Sequence, residues 1–161
     1  MTLANGIETQ DIEVWTEGSK IVFVGKPKAE ELDGKVFERE YDLKGNLLMP
    51  SFKNAHTHSA MTFLRSYADD MPLQDWLFKQ IFPMEAKLDG EKVYWLTKLA
   101  ILEYLTTGCT AAFDMYFELD DYVKACIESG FRSVLCGAVS GDKSNLERLE
   151  NNYLKYNGKD P

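Results

Sequence analysis

His56 and His58 are the only two histidines among 161 residues, and they sit two positions apart. On an extended strand, residues i and i+2 point to the same face. Neutral imidazole is a preferred ligand for zinc and its neighbours. The pair therefore reads as two ligands of one metal ion. Spacing alone is weak evidence, because an isolated H-x-H is more often a surface or structural pair. What precedes it strengthens the reading. Leu47, Leu48, Met49 and Phe52 form a short apolar run that predicts a buried strand, with Pro50 confined to where no ladder donor is needed. Asn54, His56, Thr57, His58 and Ser59 then cluster where that strand should end. Apolar strand passing abruptly into ligand-rich end is the pattern at the carboxyl end of a barrel strand.

A hydrolytic zinc site needs three or four protein ligands and an open position for water. This chain offers two histidines and no third. Two imidazoles alone bind zinc weakly and do not orient a water. Asn54 could orient the histidines or satisfy a strand-end turn. Asp114 could buttress the site from below, bond a neighbouring loop or cap local backbone.

Residues 1–47 read as β. Ile12 and Val14 alternate with polar residues, Ile21–Val24 makes a second strand, and Val36–Leu43 a third. Pro27–Gly34 is a polar link. From Leu47 the pattern turns to strand and helix in alternation. Asp89 is placed to cap a helix over 90–107, with Gly108 as its left-handed terminator. A strand over 110–114, a helix over 119–129 ending at Gly130, a strand over 132–137 and a helix over 145–156 follow. Strands joined by helices imply parallel pairing. A complete (β/α)8 barrel takes about 250 residues, and residues 47–161 suffice for three βα units.

Composition excludes some classes of function. The net charge of -8 argues against nucleic acid and against an anionic membrane surface. No apolar run approaches the ~20 residues that span a bilayer. Met1–Gly6 lacks the basic start and apolar core of a secretory signal. Cys109, Cys126 and Cys136 are odd in number and lie in apolar surroundings, which predicts reduced core residues of a cytoplasmic protein.

Leu48–Met61 resembles the first barrel strand of the amidohydrolase superfamily, whose signature there is an H-x-H pair. Met61–Leu77, Ile81–Leu88 and Phe113–Phe117 are similar to the subgroup that includes 5-methylthioadenosine/S-adenosylhomocysteine deaminases and chlorohydrolases. The resemblance implies an α/β protein: part of a β-sandwich domain over 1–47, then the amino-terminal part of a TIM-type barrel over 48–161, incomplete in this chain. It implies the amino-terminal portion of a metal-dependent aminohydrolase. Its reaction would be hydrolytic deamination of an adenosine-like nucleoside through a metal-bound hydroxide. The metal would be zinc, with iron or manganese able to use a similar site. His56 and His58 would be metal ligands. The remaining ligands and the proton-shuttling glutamate would lie beyond Pro161, so no catalytic residue is expected here and the isolated chain is expected to be inactive. Trp76 and Glu85 match pocket positions of the subgroup. Trp76 offers a flat face for a thioether or base, and Glu85 accepts hydrogen bonds from ribose hydroxyls. Arg148 lies in a segment whose arginine reaches the carboxylate of S-adenosylhomocysteine-like substrates. The plainer readings are a rim aromatic, a solvated acid and an exposed helix arginine.

The chain departs from the subgroup in three places. Cys136-Gly137-Ala138 stands where another arginine is common, which leaves neutral nucleosides or a different amine as substrates. Ser51 and Lys53 replace a glycine and an apolar residue. The alternatives are a related hydrolase or chlorohydrolase acting on another heterocycle, or a non-catalytic piece that folds with a complementary chain. Expected partners are a small-molecule substrate and either a homo-oligomer or a complementary carboxyl-terminal chain.

Overall fold

Residues 11–117, 119–137 and 143–158 are described by the computed structural model. The readings of Met1–Gly6 and Ala138 fall outside the described residues. The chain divides into two units, Met1–Pro50 and Ser51–Pro161.

In the first unit, β1 (Glu13–Glu17) and β2 (Lys20–Gly25) pair antiparallel. Gly18, at φ +56°, takes the left-handed position of their turn. Trp15 stacks on Phe23 at 4.3 Å and meets Phe37 edge-on at 5.2 Å. The polar link holds one short helix, α1 (Ala29–Leu32). The strand expected over Val36–Leu43 does not form, and among the described residues the unit holds one two-stranded sheet. Val36 is 94% exposed, and Tyr41 and Leu43 are exposed too. β-Propensity expresses pairing and burial, and this segment has no strand partner and, Phe37 apart, little burial.

The second unit opens on β3 (Phe52–Thr57), not at Leu47 as the apolar run suggests. Leu47 and Leu48 are exposed, and Pro50 interrupts the backbone donors that would extend the strand toward them. A 3-10 turn over Ser59–Leu64 follows. Next comes a helical stretch made of α2 (Leu73–Asp75), a π-helical turn (Trp76–Ile81) and α3 (Phe82–Glu85). α4 (Gly90–Thr106) begins where Asp89 accepts the Lys92 amide at 2.9 Å and stops at Gly108, φ +83°. β4 (Cys109–Met115), α5 (Leu119–Ser129), β5 (Arg132–Cys136) and α6 (Lys143–Tyr156) complete the order.

The sheet is parallel throughout, in the order β3-β4-β5. Ala112 and Asp114 of β4 are buried, while Phe113 between them is exposed. Ala60, Val93, Ile101, Ala112, Tyr116, Tyr122, Cys126 and Phe131 form one core cluster. Each large apolar side chain buried there contributes about 1.5–3 kcal/mol. The three cysteines are free, Cys109 and Cys126 buried and Cys136 half-buried, as core residues should be. Burial pushes the Cys126 thiol up to about 11, so it stays protonated and inert. Among the described residues no helix is long and apolar enough to cross a membrane.

Candidate metal centre

β3 is not a regular strand where the histidines sit. Asn54 pairs with Ala112 and Thr57 with Asp114, so three steps on β3 match two on β4. This irregularity re-aims the side chains that follow, as bulges beside functional sites do. Asn54 Oδ1 accepts the His56 amide at 3.2 Å. Of its two expected roles, Asn54 thus takes the backbone one. His56 falls within this irregular stretch and His58 just past it, and their rings lie side by side, centroids 5.0 Å apart and edge to face at 88°. His56 is exposed and His58 half-buried.

His58 is held from below. Its Nδ1 lies 2.9 Å from the Met115 carbonyl at the end of β4. A carbonyl oxygen only accepts, so Nδ1 carries a proton, and in a neutral ring Nε2 is then the nitrogen with the lone pair. The outward nitrogen is thereby the one prepared to bind a cation, with the orienting bond that metal-ligating histidines almost always have.

The flanking residues are tied down as well. The Tyr104 hydroxyl, from α4, meets Thr57 Oγ1 at 2.6 Å and Ser59 Oγ at 2.9 Å. The Ser59 amide donates to both carboxylate oxygens of Asp114 at 3.2 Å. Asp114 also accepts the Tyr122 hydroxyl at 2.7 Å, and Tyr122 meets Ser133 Oγ at 3.0 Å. Of the roles open to it, Asp114 bonds the turn that follows the histidines and the helix behind them.

Glu85, at the end of α3, is half-buried. Burial raises its carboxyl above the usual carboxylate range, and the Tyr116 hydroxyl and His58 partly offset that. The Tyr116 hydroxyl is buried and makes no hydrogen bond of ordinary geometry among the described residues. Burial first, and then Glu85, drive its pKa far above the ordinary tyrosine value. Trp76 is half-buried and lines an open cleft of about 300 Å³ with Ala68, Asp69, Asp70, Met71 and Leu73. Neither histidine lines that cleft. Ala68 and Asp70 in its wall, and Ser66 just ahead of it in sequence, have φ between +58° and +61°, a conformation that residues other than glycine rarely adopt. Arg148 stands exposed on α6. Gly137 sits where a Cβ would come within 2.8 Å of Leu149 Cδ1, so a larger residue there would push the Leu149 side chain aside. Ser51 pairs its hydroxyl with Thr110 across the start of β3 and β4, and Lys53 is exposed.

The amidohydrolase family model matches residues 47–158. The chain belongs to the amidohydrolase family. It is 43% identical over 136 residues to a 5-methylthioadenosine/S-adenosylhomocysteine deaminase of Desulfitobacterium hafniense, covering 84% of this chain and 31% of that protein. It is 52% identical over 108 residues to a 5'-deoxyadenosine deaminase of Methanospirillum hungatei, covering 66% of this chain and 24% of that protein. Among solved structures, an adenosine deaminase from Xanthomonas campestris with bound zinc superimposes with a TM-score of 0.75 at 27% identity, over 91% of this chain and 43% of that one. An atrazine chlorohydrolase from Arthrobacter aurescens TC1 gives a TM-score of 0.80 at 17% identity, over 98% of this chain and 41% of that one, a likeness of fold. The chain spans about a third or less of the length of the curated relatives it matches.

In this amidohydrolase chain the residues present fit part of a metal site. Two adjacent imidazoles, one of them bonded through Nδ1 to Met115, are side chains of the type that two ligands of such a site require. Among the described residues no group of three or more His, Cys, Asp or Glu could hold a metal ion. Tyr104, Tyr116 and Tyr122 are the site residues that sequence reading passes over. Each occupies an apolar position of its pattern, and only the fold shows where its hydroxyl goes.

Proposed function

We propose that this amidohydrolase chain contributes the first metal ligands and part of the substrate pocket of a metal-dependent aminohydrolase that removes the amino group of an adenosine-like nucleoside. The observation that supports it most is the His58 imidazole, bonded through Nδ1 to Met115 with Nε2 directed away and His56 alongside. A divalent metal, read as zinc, would lower the pKa of water so that it attacks at neutral pH. His56 and His58 would hold that ion through neutral imidazole nitrogens. Residues outside this chain's two histidines would have to complete the set, since a hydrolytic site needs three or four protein ligands. The barrel to which β3, β4 and β5 would belong, the β-sandwich around β1 and β2, and the boundary near residue 47 are part of the same proposal.

The substrate side follows from chemistry. Glu85, half-buried, would accept hydrogen bonds from a diol such as a ribose, and Trp76 would offer its face to a base or thioether. Arg148 would meet a carboxylate only if α6 lies at the pocket rim. With glycine at 137, the reading favours neutral nucleosides. The relatives named as 5'-deoxyadenosine and 5-methylthioadenosine/S-adenosylhomocysteine deaminases support this substrate class.

Zinc titration with inductively coupled plasma analysis tests the ligand assignment. The chain should bind zinc weakly through the two histidines, and H56A and H58A should each weaken that binding further. Unchanged binding in both variants would remove the basis of the reading. The 161-residue chain alone should not deaminate 5'-deoxyadenosine, and turnover by it would show that the site needs no further ligand.

A further inference from the structure

Separate contacts converge on the two residues that flank His58. On the amino side, Thr57 Oγ1 is bonded to the Tyr104 hydroxyl at 2.6 Å. On the carboxyl side, Ser59 Oγ is bonded to the same hydroxyl at 2.9 Å, and the Ser59 amide to both oxygens of Asp114. Tyr104 comes from α4 and Asp114 from β4, so two different elements grip one short stretch. Tyr104 is itself held by its ring, stacked on Phe131 at 5.5 Å and 22°. Asp114 is held by Tyr122 and is 1% exposed.

Burying a carboxylate and several hydroxyls is unfavourable unless their partners are all supplied. Here those partners meet around one residue. With the backbone fixed on both sides of His58, its ring direction depends on two side-chain torsions. The Nδ1 bond to Met115 fixes those. Nothing on the ring's outer side is needed to hold Nε2 in place.

We propose that Tyr104 and Asp114 are positioning residues that clamp Thr57 and Ser59 on either side of His58 and so preset its Nε2 for a divalent metal. This deepens the proposed function and rests on its assignment of His58 as a ligand. Neither residue touches the metal. Losing an orienting partner of a metal-ligating histidine costs ten- to a hundredfold in metal affinity. A purely structural tie would lower stability and leave affinity unchanged.

The test uses the 161-residue chain with zinc affinity measured by competition against a chromophoric chelator, the visible spectrum of the cobalt(II) form, and thermal unfolding. Y104F removes one oxygen and keeps the ring stack on Phe131. D114N keeps one acceptor for Ser59 and loses the second. Y94F is the control, since Tyr94 lies on α4 with its hydroxyl on Glu128 at 2.5 Å, away from the clamp. Y104F and D114N should each weaken zinc binding about tenfold or more and alter the cobalt spectrum. Y104F should unfold within a few degrees of Y94F. Should D114N not fold, Y104F decides alone. If Y104F binds zinc as wild type does while H58A does not, the clamp is wrong and the ligand assignment stands. If H58A binds zinc as wild type does, the ligand assignment fails and the clamp with it.

Discussion

Tyr122 shows what one hydroxyl does for this site. It donates to Asp114, a carboxylate 1% exposed, and removing it leaves a buried acceptor short of a partner. Y122F should therefore destabilise the chain by about 1–3 kcal/mol, read by urea unfolding. A smaller effect would mean that water reaches Asp114. Ile81 makes the contrasting case. It is a purely apolar side chain, 1% exposed, and I81A should cost about 2–5 kcal/mol through transfer and cavity terms. The histidines, by contrast, carry little of the packing. His56 is exposed, so H56A should weaken metal binding with almost no change in unfolding midpoint.

Among the elements, α4 is the one whose ends are most firmly specified. Asp89 caps its first turn and Gly108 turns the chain back into β4 at φ +83°. G108A places a Cβ in the left-handed region, and should cost about 1 kcal/mol or more, seen as a lower unfolding midpoint. α6 is tied differently. Asp120 of α5 accepts from Lys155 at 2.7 Å and from Tyr156, and these bonds hold its carboxyl below the usual aspartate value of about 3.9. A carboxyl whose folded pKa is depressed stabilises the fold above its unfolded pKa, and that contribution is lost as pH falls through the folded one. The stability difference between wild type and D120N should thus be constant near neutral pH and shrink below about pH 4. Exposure and salt keep it small. A difference unchanged down to pH 2 would show that the tie does not contribute.

For the whole molecule, the sheet of the second unit has unequal sides. Phe113 and Val134 are paired in register and are 45% and 58% exposed, while Ala112 and Asp114 between and beside them are buried. Apolar surface of this kind drives association. The chain alone should self-associate in light scattering at micromolar concentration, and F113K with V134K should reduce it. Monomeric behaviour of the wild-type chain would count against this.

Much of the second unit is legible in the residues because its signals are local. Asp89, Gly108 and Gly130 act within a turn of where they stand, and helical periodicity is written in a single segment. The H-x-H pair is legible for a similar reason, since two residues apart in sequence are neighbours in any extended chain. The strand expected over 36–43 fails because strand formation depends on a partner that no local pattern supplies. The start of β3 is misread for the same cause, with Leu47 and Leu48 apolar yet exposed. The amino-acid sequence by itself determined the order of helices and strands from Asp89 onward, the parallel pairing and the candidate ligands, and not the helical stretch over residues 59–85. Only the tertiary structure decided which nitrogen of His58 faces outward, and that Tyr104 and Asp114, 46 and 56 positions away, hold it there. A ring torsion is set by contacts from distant segments, and those contacts exist only once the chain has closed on itself.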